Sequence, residues 1–322
     1  MMKKVGIIMF VLLGLVCLTN CEKKNQTFDK TKNIIKYSRD VSSGTRDGFF
    51  TSIGFSEAKE DDTKIPGSIS VQDNANMISL IKNDKYGIGY ISLSSLASSG
   101  LKALNYGGVI PSEETVVDGS YKLARNFNYV IRTKEDCSNQ EWLLIKAFEL
   151  FMNSKEGQGI IKAKDGILTK KLSQAISFDE LLKLEENKEI KEMCEKACDE
   201  AHRIEIKFGG STSVEKIARA LSEAFSRYCP TFKPVHNHTG SSAAFKGTQG
   251  NEKETVNSMH IGFLSRELSA SEKVAPATSG LICKDGIVVV VNAQNDLIND
   301  IDASALKKVY SSQKILWSEI IG

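Results

Sequence analysis

Four short segments of this chain combine hydroxyl side chains, glycine and charge in a pattern suited to holding an anion. They are Ser38 to Asp47, Gly209 to Ser213, Gly240 to Ser242, and Ser265 to Glu267. Each follows a strand-like run, and the first three lead into a helix start. Backbone N–H groups at a helix start donate to oxyanions, hydroxyls add further donors, and an arginine adds a charge-assisted fork. Any one such turn could be an ordinary helix cap. Four in one chain, two of them with an adjacent arginine, point to a cleft site for a small tetrahedral oxyanion.

The elements that must position these turns alternate. Strands are expected at 35–37, 68–71, 88–93, 101–104 and 129–131, and helices at 74–82, 142–152 and 156–162. Residues 173–200 read as one very charged helix opened by a capping box from Ser177 to Glu180. A strand over 204–208 then enters the Gly209 turn. Thr212 to Glu215 forms a second expected capping box, and Val214, Ile217, Leu221 and Phe225 line the buried face of the next helix. A further strand at 232–235 leads to the Gly240 turn. The valine-rich run from Gly286 to Asn292 suggests a parallel strand covered on both faces. This alternation implies an α/β fold with an open sheet in each of two lobes, and ligands of such sheets sit outside the carboxyl ends of the strands.

Lys3 and Lys4 precede an apolar run from Val5 to Leu18, which marks 1–20 as a secretion signal. Cys21 follows, resembling a lipoprotein processing site, with a polar tether over 21–34. The mature protein is therefore expected outside the cytoplasm, held to the membrane by lipid on Cys21. The formal net charge of +2 falls near zero once Lys3 and Lys4 leave, which argues against nucleic acid as a partner. Five cysteines remain after Cys17 and Cys21, an odd number that cannot all pair internally. Cys194, Cys198 and His202 recur at four-residue intervals on the expected charged helix. A lone helical cluster of this kind fits packing better than metal binding, and no metal or cofactor is expected.

The motifs resemble those of the phosphate-binding lipoproteins of bacterial phosphate ABC importers. Ser38-Arg39-Asp40, Ser43-Gly44-Thr45-Arg46-Asp47, Ile88 to Leu93, and Tyr121 with Leu123 and Arg125 match the family's second half. Gly209 to Val214, Gly240 to Ser242, and Leu264 to Leu268 match its first half. The resemblance covers nearly all the mature chain and implies a type II-like two-lobed binding protein in circularly permuted order. Residues 165–203 would connect the old chain ends, and Lys314 to Gly322 would lie beside the strand at Ile35. One lobe is expected to hold 35–92 with 296–322, and the other 93–295. Two crossings between them would form a hinge, with Tyr90 and Tyr121 near it.

The resemblance implies inorganic phosphate as ligand and ABC importer permease subunits as partners of a monomer. The expected donors are Thr212, Ser213, Ser241, Ser242, Ser265, Ser43, Gly44 and Thr45, with Arg39 beside the anion and Arg46 and Arg266 as further charges. Protonated phosphate can donate to a carboxylate, whereas sulfate cannot. Asp47 is the first candidate acceptor, then Asp40 and Glu267. Relatives often carry Asp where Ser265 stands, so the acceptor's identity is open. His236, His238 and His260 are assigned packing or surface roles. No nucleophile–base arrangement or nucleotide motif is present, so no enzyme activity is expected. The alternatives are a binder of sulfate or molybdate, or a sensory or structural lipoprotein of the same fold.

Overall fold

The computed structural model describes residues 28–321, so the leader, Cys21 and the first half of the tether lie outside the described residues. In chain order, β1 (Ile35–Arg39), α1 (Gly44–Ser52), β2 (Ser68–Val71), α2 (Asn74–Asn83) and β3 (Gly87–Ser92) come first. Then come β4 (Lys102–Ala103), β5 (Asn105–Tyr106), α3 (Glu113–Val117) and β6 (Ala124–Ile131). Helices α4 (Asn139–Asn153), α5 (Lys155–Ala163), α6 (Phe178–Leu181) and α7 (Lys188–Glu195) follow. The chain continues through β7 (Ile204–Gly210), α8 (Glu215–Phe225), β8 (Phe232–Asn237), α9 (Ser241–Thr248) and β9 (Ile261–Leu264). It ends with β10 (Ser279–Val291), β11 (Asp300–Ile301) and α10 (Ala303–Ser311).

Two lobes share one long strand. In the first, β2, β1, β3 and β10 lie side by side; in the second, β10, β6, β9, β7 and β8 do. The pairs β1–β2, β1–β3, β7–β8 and β7–β9 are parallel, as expected of strand–helix alternation. The valine-rich run is not. β10 is antiparallel to both β3 and β6. An apolar run reports burial on both faces, and burial does not fix strand direction.

Each lobe has its own core. The first is built on stacked rings: Phe49 and Tyr90 lie 4.0 Å apart, with Phe50 and Tyr310 edge-on around them. It also takes in Leu104, Tyr106, Val116, Tyr121, Leu123 and Ile287. These belong to segments 93–123 and 286–291, which the sequence assigns to the other lobe. The lobe boundaries therefore move to the crossing strands. The second core gathers Phe148, Phe208, Phe225 and Phe232. The chain leaves the first core at Leu123 and passes along β6 to the second at Phe127, and β10 returns from Cys283 to Ile287. At that crossing Arg125 stands opposite Asp285 in register.

The expected charged helix over 173–200 breaks into α6, a short 3-10 turn and α7, which ends at Glu195. Phe178 must reach Phe151, Phe225 and Tyr228, while Cys194 must reach the same core further along. One straight helix cannot present both. Cys198 lies past the end of α7, so the four-residue spacing to His202 is not helical. The chain ends meet in space: Ile34 N donates to Ile315 O at 2.8 Å, and Ser318 N to Lys30 O at 2.7 Å.

Candidate functional site

Four turns converge at the carboxyl ends of strands from both lobes. β1 delivers Ser43, Gly44 and Thr45; β7 delivers Ser211, Thr212 and Ser213; β8 delivers Ser241; β9 delivers Ser265. Ser43 caps α1, its Oγ accepting from Thr45 N at 3.2 Å and Arg46 N at 3.4 Å, which fixes the loop's approach. The second expected cap does not form: α8 starts at Glu215 with no side-chain cap, which leaves the Thr212 and Ser213 hydroxyls free for other partners.

The hydroxyls gather across the lobe interface. Thr45 Oγ1 lies 2.9 Å from Ser213 Oγ. Ser211 Oγ donates to Ser265 Oγ at 2.9 Å, and Ser241 Oγ lies 3.2 Å from Ser265 Oγ. Ser43, Thr45, Ser211, Ser213, Ser241 and Ser265 are all buried. Gly44 is required by space: a Cβ there would stand 2.3 Å from Ser241 Oγ and 2.6 Å from Ser265 Oγ. A cavity of ≈ 450 Å³ opens at the mouth, lined by Asn74, Ser94, Thr212, Ser213 and His238 among others.

Arg39 supplies the charge. It is 1% exposed, yet no carboxylate lies within ion-pair distance of it among the described residues. Its Nη2 donates to Thr212 Oγ1 at 2.9 Å and to Gln72 O at 2.6 Å, and Nη1 reaches Asn74 Oδ1 at 3.4 Å. Its Nε is buried without a partner. Burial pulls its pKa below the ordinary arginine value. Tyr90 fixes the backbone beneath it, its hydroxyl accepting from Arg39 N at 3.1 Å. A buried cation without a counter-charge is costly, so this site favours an anion.

Other expected residues lie elsewhere. Arg46 is buried, but its guanidinium turns away from the hydroxyls to Ala58 O at 2.6 Å, Arg39 O at 3.0 Å and Asp62 at 2.5 Å. Asp47 pairs with Lys59 at 2.9 Å and faces a separate cavity with Arg266 and Glu267. Arg266 is held by Glu272 through two bonds of 2.6 and 2.8 Å. Ser242 sits on the rim, its Oγ donating to Ser42 O at 3.4 Å. Asp40 binds its own turn through Ser42 N at 2.9 Å, and Glu267 holds Asn126 at 2.9 Å. Among the described residues, none of the clustered hydroxyls of Ser43, Thr45, Ser211, Ser213, Ser241 and Ser265 bonds to a carboxylate.

Sequence reasoning missed Ser211, Asn74 and the buried pair of Arg125 with Asp285, whose guanidinium reaches Oδ2 through Nη2 at 2.7 Å and Nε at 3.0 Å. Arg125 Nη1 extends to Ser265 O at 3.4 Å, and Ser92 Oγ donates to Asp285 Oδ1 at 2.8 Å. The pair thus ties the crossing strands to a binding turn. Ser211 was visible within the Gly209 turn. Asp285 carried no local signal, because its partner lies 160 positions away.

Comparison with known proteins agrees with this architecture. A PBP superfamily domain model matches residues 196–321. Phosphate-binding protein PstS 2 of Streptococcus pneumoniae is 31% identical over 314 residues, spanning 95% of this chain and 94% of the relative. Its counterpart in Streptococcus agalactiae is 28% identical over 318 residues, spanning 96% and 94%. The crystal structure of a phosphate ABC transporter phosphate-binding protein from Streptococcus pneumoniae superposes with a TM-score of 0.62 at 28% identity, covering 90% of this chain and 100% of that one. The chain thus belongs to the PBP superfamily of two-lobed, non-catalytic, extracytoplasmic solute-binding proteins, among those related to the PstS components of phosphate ABC transporters.

Proposed function

We propose that the cleft binds inorganic phosphate and that the protein delivers it to the permease of an ABC importer. The observation that carries this reading is Arg39: buried, unpaired with any carboxylate, its Nε unpartnered, and bonded to a turn of the opposite lobe. Thr45, Ser43, Gly44, Thr212, Ser213, Ser241 and Ser265 surround the phosphate, with Ser211 as an added donor. Ser242, Arg46 and Asp47 support the turns instead. Lipid on Cys21 tethers the chain to the membrane, a role supported by the apolar run from Val5 to Leu18 that precedes it. The meeting of the two ends of the described chain supports a circular permutation relative to the family pattern.

A second reading is favoured by one specific observation. Among the described residues no carboxylate bonds to the clustered hydroxyls, so a fully ionised tetrahedral anion such as sulfate or molybdate meets no fixed repulsion there. In the phosphate reading, a serine hydroxyl or the Asn74 carbonyl oxygen accepts the phosphate proton, since both groups have acceptor capacity. Thermal unfolding of the ligand-stripped protein separates the readings. Phosphate at 100 times its dissociation constant adds about 2.7 kcal/mol and raises the midpoint, while equal sulfate does not. Stabilisation by sulfate alone selects the second reading.

A further inference from the structure

Helix α9 begins without a cap from its own lobe. Gly240 precedes it, and no side-chain bond closes its first turn. The first N–H groups of a helix have no partner inside it. One of them, Ser242 N, donates across the cleft to Ser42 O of the first lobe at 3.3 Å, and Ser242 Oγ donates to the same carbonyl at 3.4 Å. Ser42 Oγ returns the contact, donating to Thr239 O at 3.0 Å. Asp40 sets the pose of Ser42: its Oδ1 accepts from Ser42 N at 2.9 Å and from the Ser42 hydroxyl. Gly240 leaves room for the approach, since a Cβ there would stand 2.4 Å from Ser42 Oγ and 2.7 Å from Ser42 O. A cavity of ≈ 630 Å³ runs up to this contact, and its lining includes Val41, Ser42, Ser242 and Lys246.

We infer that Ser42 is the latch of the closed cleft: it clasps the turn of residues 239–242 and sets how fast the anion leaves. It stands outside the donor set and acts as a positioning residue, holding the Ser241 turn of the second lobe against the Gly44 turn of the first. Closure gives the α9 start the acceptor it lacks and gives Thr239 O a donor. Opening breaks all three contacts together. A hydroxyl has one hydrogen, and that of Ser42 has two acceptors in reach, Thr239 O and Asp40 Oδ1. On opening, Asp40 stays with Ser42 and takes the hydrogen, so the latch parts without leaving its hydroxyl unpaired. Each such bond has a modest net worth, which suits a cleft that must open again. The inference rests on the proposed function only in taking phosphate as the anion released; the clasp itself is defined by its contacts.

The test compares wild type with Ser42→Ala in two ways: stopped-flow binding and release of inorganic phosphate, and hydrogen exchange of the peptide spanning 239–245 read by mass. Release is expected to be about 3- to 10-fold faster in the variant. Association should stay within about twofold, because the latch forms only as the lobes close. The thermal midpoint without phosphate should move by no more than about 2 °C. Exchange in the peptide should rise by about the same factor as release, since the Ser242 amide is freed when the clasp opens. A lowered midpoint with an unchanged release rate would make Ser42 merely structural and overturn the inference. If wild type binds no phosphate, the proposed function falls, and the exchange comparison decides the clasp alone: faster exchange in Ser42→Ala upholds it, and equal exchange overturns it.

Discussion

Replacing Arg39 by lysine keeps the charge and removes the planar fork that reaches Thr212, Gln72 and Asn74 together. The lost charge-assisted bonds should weaken phosphate binding by about 10- to 100-fold, or roughly 1.4–2.7 kcal/mol, in calorimetric titration. Asp47→Asn should stay within about threefold of wild type, because Asp47 pairs with Lys59 outside the hydroxyl cluster. Equal losses in the two variants would put the anion in the Asp47 cavity instead. Gly44→Ala tests space rather than charge. Its methyl would fall 2.3 Å from Ser241 Oγ, so the lobes could not close as they do here. Binding should drop at least tenfold with circular dichroism unchanged, and wild-type affinity would rule out the closed arrangement. At this scale the sequence exposed the hydroxyl turns because each donor sits within a few residues of a glycine or a helix start. It gave no sign that Arg46 turns to the Ala58 carbonyl, which belongs to a loop whose path no local pattern encodes.

Strand–turn–helix units were legible because local rules set them. β2 matches the expected 68–71, and α2 follows its Asp73 cap over Asn74–Asn83. The direction of β10 and the break between α6 and α7 were not legible, since distant partners decide both. The end of β8 makes a further demand. His236 stacks on Phe208 at 4.8 Å, and its ring nitrogens meet Ser222 Oγ at 2.9 Å and His238 at 3.1 Å. His238 in turn bonds the Ser211 carbonyl at 3.1 Å, next to the hydroxyl cluster. Burial first, then the neighbouring His238 and Arg219, lowers the His236 pKa to about 3. The unfolded imidazole titrates near 6.5, so this group's stabilisation is complete above that pH and is lost as pH falls toward 3. Urea unfolding should show wild type weaker at pH 5 than at pH 7.5, with at most about 2 kcal/mol from this histidine. His236→Gln should have a flatter pH dependence. An unchanged slope would mean that His236 is already charged in the folded state.

Among the described residues, the two cores meet through β6, β10, the segment around Ile167 and the turns that face each other across the cleft. Arg125 and Asp285 brace the crossing strands, while Arg39 and Thr45 reach over to Thr212 and Ser213. Hinge closure over an anion follows from this layout, because the donor set is complete only when both lobes contribute. The two-lobed plan was visible in the recurrence of anion-binding turns. The lobe boundary was not, since 93–123 packs with a core formed by both ends of the chain. The central claim is phosphate capture by this composite site. Calorimetric titration of the ligand-stripped protein at neutral pH, with phosphate and then sulfate, tests it most directly. One-to-one phosphate binding that sulfate does not compete away is the predicted result. Binding of neither anion would contradict it and leave the fold with a sensory or structural role.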